Sequence, residues 1–354
     1  MMNWLDAIRA ITARAEPAVL VTVASVEGSG PREPGAKMLV TRSSQFDTIG
    51  GGHLEMRACE LARDMLSMPS ALPASERRLA RFALGPSLGQ CCGGVVHLAF
   101  ERVDGAAHAF YAALEEIWRQ RQDAWRVVAL DAAVAPVLVD TDGHSLQGSL
   151  PPSLSGIDRE RGCHVMKDAD GRSWMVDPCL AYRSHLVLFG AGHVGAAIVR
   201  ALAELPCLVT WVDEREDLFP ANLPANVKIE ATDTPEAVVD EVPPGASYLV
   251  MTYSHALDQQ LCETILRRAD RGWFGLIGSK TKRMQFEHRL RDRGIGAQEL
   301  ETMVCPVGVP GITGKAPAVI AASVCAQLLQ VWEREEAARR ACSGPSLVRT
   351  VAGI

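Results

Sequence analysis

The chain has 354 residues, 48% hydrophobic and 22% charged, with a formal net charge of −6. That length exceeds one ordinary domain and suits two soluble ones with normal cores. The acidic balance, pI about 5.9, speaks against a nucleic-acid binder, which would carry a basic domain or stripe.

No apolar run is long enough to span a bilayer: the nearest, Ala316 to Trp332, is interrupted by Pro317, Ser323, Gln327 and Gln330 and reads as a buried helix. Asp6 and Arg9 fall inside the would-be apolar core of a signal peptide, so a cytoplasmic protein is expected. Ten cysteines without a C-x-x-C pair or a repeated Cys/His spacing indicate neither a disulfide framework nor a zinc site.

In chain order, a helix is expected near residues 3–15. The strand "AVLVTVASVEGSG" ends in a Gly/Ser turn, and "PREPGAKMLVTRSSQFDTIGGG" supplies a second strand, a turn and a short third. A helix follows from His53 to Ser67, then the strand "VVHLAFERV", a helix from Ala106 to Gln122, and β-type segments in "RVVALDAAVAPVLVD". This makes a mixed α+β domain over 1–150. The Pro/Ser/Gly-rich stretch "GSLPPSLSGIDRERG" marks a boundary. Residues 151–183 then read as a linker with a candidate hairpin in "CHVMKDADGRSWMVD".

From 184 to 342, strands and helices alternate: "HLVLFGAGHVGAAIVRALAELPCLVTWVDER", "VKIEAT", "TPEAVVDEV", "SYLVMTYS", a helix through Arg268, "WFGLIG" and a helix from Thr281. The fold class is therefore α/β, with a C-terminal Rossmann-like doubly wound parallel sheet. A last helix from Pro317 to Arg340 repeats Ile320, Val324, Leu328 and Trp332 at i+4, so one face is expected to be buried.

Three glycine turns carry candidate chemistry. Gly190-Ala191-Gly192-His193-Val194-Gly195 follows an apolar strand and opens a helix, an anion seat of amides and helix dipole. Asp213 ends the next strand, where a dinucleotide-binding acid would meet ribose hydroxyls. The same glycines serve strand–helix packing whatever is bound. "GLIGSKTKR" places Ser279 as a helix N-cap with Lys280 beside it, a second anion seat or a solvated charged surface. Gly50, Gly51 and Gly52 feed a helix carrying Glu55, a residue favoured there by the dipole and able to accept N–H groups from a heterocycle's edge. His255, in "TYSHALD", is either a site residue at a strand's C-terminal end or an ordinary helix-start residue. Cys91 and Cys92 in "QCCGG" read as a packed turn or as a thiol-bearing loop.

"GSGPREPGAKMLV", "TIGGGHLE", "QCCGG", "LVLFGAGHVG", "VTWVDER", "VMTYSHALD", "FGLIGSKTKR" and "CPVGVPGITGKAPAVIAASVCAQLL" occur in this order over residues 28–329. Together they resemble the XdhC/CoxI family of xanthine dehydrogenase accessory proteins. The resemblance implies an XdhC/CoxI-type N-terminal domain and a C-terminal Rossmann domain. It implies a chaperone rather than an enzyme: one that binds molybdenum cofactor (Mo-molybdopterin) as cargo, protects it while a cysteine desulfurase supplies its terminal sulfur, and delivers it to the molybdenum-binding subunit of apo-xanthine dehydrogenase. A homodimer fits that role. The family's motifs fall on Gly50 to Glu55, Cys91, Cys92, Gly190, Gly192 and Gly195; Tyr253 and Ala316 depart from them, standing where a histidine and an acid are common. The alternative from another class is an NAD(P)-dependent oxidoreductase on the Rossmann half, with Asp213 selecting the cofactor; a nucleotide hydrolase or transferase is weaker, since G-x-x-x-x-G-K-[ST] is missing.

Overall fold

The computed structural model describes residues 4–67, 76–85, 93–132, 134–181 and 184–342. The chain divides into two compact units, Met1–Ala181 and Tyr182–Ile354.

The first unit runs α1 (Trp4–Ala13), β1 (Ala18–Glu27), β2 (Lys37–Val40), β3 (Gln45–Asp47), α2 (Gly52–Ser67), β4 (Arg77–Ala83), β5 (Val95–Val103), α3 (His108–Arg119), β6 (Ala124–Ala129), β7 (Val137–Val139), β8 (Ser145–Gln147), β9 (His164–Lys167) and β10 (Ser173–Cys179). Two five-stranded sheets form, ordered β3-β2-β1-β5-β4 and β8-β7-β6-β10-β9. Strand β1 shows why the layers stack. Val19, Val21 and Val23 alternate onto the face covered by α2, with Ala58, Ala62 and Leu66. Ala18 and Leu20 point the other way, among α1 and α3 residues such as Ile8 and Leu114. Ala24 meets Val128 and Met175 of the second sheet. A strand buried on both faces reads as a near-continuous apolar run, as this one does apart from Thr22 and Ser25.

The segment expected to be a linker is a structural part of this unit. The hairpin is present, β9 against β10, but β10 also pairs along its whole length with β6. The division therefore falls after Ala181 and not near residue 150. The second reason lies in the core, where Lys37 Nζ donates to Asp177 at 2.8 Å and Arg126 donates to Glu101 at 2.6 Å. All four side chains are nearly or wholly buried, and each pair joins one sheet to the other. Burial alone would push the Lys37 ammonium down; the Asp177 charge outweighs it and holds the pKa above the usual lysine value.

The second unit runs β11 (Ser184–Phe189), α4 (His193–Leu202), β12 (Cys207–Asp213), β13 (Val227–Ala231), α5 (Pro235–Glu241), β14 (Ser247–Val250), α6 (His255–Arg267), β15 (Phe274–Leu276), α7 (Lys280–Asp292), α8 (Ala297–Glu301), β16 (Met303–Val304) and α9 (Pro317–Cys342). Its six strands are parallel and ordered β13-β12-β11-β14-β15-β16, the doubly wound order that reverses direction between β11 and β14. Val187 and Phe189 face the layer of α5 to α8. Leu186 and Leu188 face α4 and α9, where Val324, Leu328 and Trp332 supply the buried stripe read from the sequence.

Candidate functional site

In the second unit, the strand order fixes where a ligand would sit: at the carboxyl ends of β11 and β14, where the winding reverses. The glycine turn lies there. Gly190 adopts φ +122°, and a Cβ on it would stand 2.5 Å from the Met251 carbonyl oxygen. A Cβ on Gly195 would stand 2.2 Å from the Gly190 carbonyl oxygen. Both glycines are therefore required by packing. Gly192 differs: it is the exposed N-cap of α4, with φ −72° and no side-chain cap, and a Cβ there would meet nothing within 4 Å. The amides of Gly192, His193 and Val194 have no acceptor among the described residues, which makes an open cradle for an anion. His193, the first helical residue, is exposed beside it.

Asp213 lies at the end of β12 but is not free to read a ribose. Its carboxylate accepts from the Ala191 amide at 2.7 Å and from Arg215 Nε and Nη2 at 2.8 and 2.9 Å. Burial alone would raise its pKa; the hydrogen bonds from Arg215 and Ala191 outweigh that and hold it below the usual aspartate value. Arg215 in turn lies 4.4 Å from the ring centroid of Tyr253, and the exposed Tyr253 hydroxyl donates to Glu214. Arg215 and Tyr253 thus bridge the exits of β12 and β14, a link that sequence spacing does not reveal.

A second network fixes the neighbouring loops. Asp258, fully buried, accepts from the Thr252 amide and hydroxyl at 3.0 and 2.8 Å and from Lys282 Nζ at 2.7 Å. Lys282 also reaches the Ile277 carbonyl at 3.0 Å, tying the ends of β14 and β15 to α6 and α7. Ser279 is the N-cap of α7, accepting from the Lys282 amide; Lys280 follows it, exposed and without an ion pair among the described residues. His255 is the first residue of α6, exposed, with its ring edge toward Phe286.

In the first unit, the fold gathers three of the glycine-bearing motifs. Pro31, within the 28–35 loop, stands where a Cβ on Gly50 would come within 2.6 Å, and Ser29 stands against Gly94 in the same way, at 2.2 Å. Gly50, Gly51 and Gly52 all take positive φ, and space beside Gly51 is open. Glu55 closes this turn. It accepts from the amides of Ile49 and Gly51 at 3.0 Å each, from Thr48 at 2.5 Å and from Gln45 at 2.6 Å. Burial would raise its pKa, but these bonds together lower it. The carboxylate expected to read a heterocycle's edge is thus already engaged, and the role it fills is to shape the turn. Cys91 and Cys92 lie outside the described residues. Cys59, Cys163, Cys179, Cys207, Cys262, Cys305 and Cys325 are free thiols. One exposed turn groups Asp140, Asp142 and His144 within 4.8 Å, but Asp140 there accepts from the amides of the other two. Among the described residues, no helix is long and apolar enough to cross a membrane.

The second unit is thus a Rossmann-type domain that offers an open amide cradle beside an acid already paired, and the first is an α+β domain with a glycine-lined turn. Residues 186–328 match the XdhC Rossmann domain and residues 11–72 match the XdhC and CoxI family. The chain belongs to the XdhC/CoxI family. It is 24% identical over 344 residues to a Bacillus subtilis protein named as a probable xanthine dehydrogenase subunit, covering 94% of this chain and 99% of that one. It is 30% identical over 150 residues to the uncharacterized protein YqeB of Escherichia coli, a match over 42% of this chain that spans only 27% of that relative. A crystal structure described as a xanthine dehydrogenase from Bacillus halodurans shares the fold, with a TM-score of 0.73, 19% identity, and 94% and 96% of the two chains covered.

Proposed function

We propose that this protein serves the maturation of xanthine dehydrogenase: it holds molybdenum cofactor as cargo while a cysteine desulfurase supplies the terminal sulfur, and passes it to the molybdenum-binding subunit of the apo-enzyme. Family membership and the name of the Bacillus subtilis relative support the link to xanthine dehydrogenase. The observation that carries the cargo reading is the Gly192 cradle. Three amides without a partner among the described residues, on an open face, suit a phosphate tail, while the neighbouring acid, engaged by Arg215 and Ala191, is poorly placed to select the ribose of NAD(P). The pairing of Asp213 therefore weighs against the oxidoreductase alternative. Cys91 and Cys92 are proposed to serve cargo handling through their thiols, and the working unit is proposed to be a homodimer.

The test is anaerobic loading of the purified protein with molybdenum cofactor, followed by molybdenum analysis, fluorescence of the oxidised pterin, and transfer to apo-xanthine dehydrogenase. Stoichiometric, transferable pterin supports the reading. Absence of pterin together with saturable NAD(P)H binding and hydride transfer would overturn it.

A further inference from the structure

We propose that the outer edge of β4 and the groove between β4 and α2 form a docking site for an extended, acidic segment of a partner protein, which adds to the sheet as a further strand.

Strand β4 is the last strand of its sheet and pairs only with β5 among the described residues. The ladder bonds Arg102 N to Glu76 O and Leu84 N to Gly94 O, at both ends of a register in which Arg78, Ala80 and Phe82 face Phe100, Leu98 and Val96. In an antiparallel pair, inward-bonding residues alternate with outward-facing ones. The even residues therefore bond to β5, and Arg77, Leu79, Arg81 and Ala83 turn their N–H and C=O groups outward. The seven residues of this edge, unpaired on its outer side among the described residues, match the length of an ordinary strand.

Beside this edge, α2 and β4 leave a groove of about 250 Å³, walled on the strand by Arg78, Ala80, Arg81 and Phe82 and on the helix by Leu61 and two acids, Glu60, which pairs with Arg57, and Asp64. That volume takes a side chain or two and falls below the ~300 Å³ of a small-molecule pocket. An edge strand flanked by a helix-walled groove is the arrangement by which strand addition gives affinity through the main chain and selectivity through alternate side chains. Ala80 and Phe82 offer apolar contacts, and Leu79 is exposed.

Charge selects the occupant. Strand β4 carries three arginines and no acid. Arg77 turns inward to the carbonyls of Ala129 and Val134, while Arg78 and Arg81 are exposed and make no ion pair among the described residues. A second copy docking here would bring both sets of arginines onto one seam with no acid in either strand to offset them, which opposes self-pairing. Arg78 and Arg81 point to opposite faces of the strand, so an acidic strand that carries both glutamates and apolar residues on each face satisfies the edge, the groove and both arginines.

The experiment titrates the full chain into a fluorescein-labelled peptide that repeats two valines and two glutamates, which puts both residue types on each face, with the corresponding valine–lysine peptide as control, and reads anisotropy. The acidic peptide is expected to bind and the basic one not. Leu79→Pro removes an outward amide while leaving the even-residue ladder intact, as an edge strand tolerates, and is expected to weaken binding about tenfold. Arg78→Glu with Arg81→Glu, which leaves the backbone untouched, is expected to reverse the preference; it decides the question if Leu79→Pro does not fold. Equal binding of both peptides, or an unchanged preference in the double variant, overturns the proposal. So does a doubled mass in sedimentation that Leu79→Pro or the double arginine variant abolishes, which would assign the edge to a second copy.

Discussion

Gly192→Ala and Gly195→Ala add the same methyl group three residues apart and are expected to do opposite things. At Gly192 the backbone (φ −72°, ψ −174°) suits any residue and the Cβ would enter open space. The folding effects are a weaker N-cap, about 0.5 kcal/mol, against a less flexible unfolded chain, about 0.4–1 kcal/mol in the other direction. Stability should stay within about 1 kcal/mol of the native chain. The methyl, however, occupies the face of the amide cradle. Loss of one or two hydrogen bonds to a charged phosphate, about 1.5–3 kcal/mol each, weakens cargo binding by about tenfold to a hundredfold or more. At Gly195 the Cβ stands 2.2 Å from a backbone carbonyl. The backbone must shift, at a cost of about 3 kcal/mol or more for overpacking against groups that cannot rotate away. Urea unfolding gives the stabilities, and pterin fluorescence after anaerobic loading gives retention. Full retention in a folded Gly192→Ala would refute the phosphate seat. Native stability in Gly195→Ala would refute the packing argument.

Lys282→Met strands the buried Asp258 carboxylate and should cost about 3–5 kcal/mol by urea unfolding; a loss under about 1 kcal/mol would mean that the ion pair does not hold these loops. Asp213 has a folded pKa below its unfolded value, so its contribution is present above about pH 4 and is lost as pH falls through the folded value. Asp213→Asn should therefore flatten that part of the acid-stability curve, and an unchanged acid limb would show that the Arg215 pair contributes nothing there. Replacing Cys91 and Cys92 together by serine should change stability by about 1 kcal/mol yet leave xanthine dehydrogenase inactive in cells lacking the native protein. Full activity there would relegate both thiols to packing.

The Rossmann half was largely legible because its signals are local: a glycine turn after an apolar strand, βα alternation, and a stripe at i+4 along α9. Harder to read were features made by distant partners. Strand β4, "RRLARFA", carries three arginines in seven residues and shows no apolar alternation, since it is an edge strand with much of its surface in solvent. The 151–183 segment looks like a linker by composition, yet β10 lies inside a sheet because its partner, β6, is some fifty residues away. Glu55 and Asp213 sit where the sequence puts them, at a helix start and a strand end. Their engagement by Thr48, Gln45 and Arg215 depends on side-chain geometry that spacing does not encode.

The Lys37–Asp177 pair has a bearing on how the chain is made. Lys37 is synthesised 140 residues before its counter-charge, and Arg126 takes its place between Glu101 and an Asp177 that arrives last. Until the ribosome has passed β10, the N-terminal unit holds two cations destined for a dry interior with only one of their acids, so its core cannot close. The unit's assembly is thus a late event in translation, set by non-local contacts that fold slowly. Anything that meets the nascent chain earlier, a chaperone or a protease, meets Ala24 of β1 and Ala99 of β5 before Met175 of β10 has arrived to cover them.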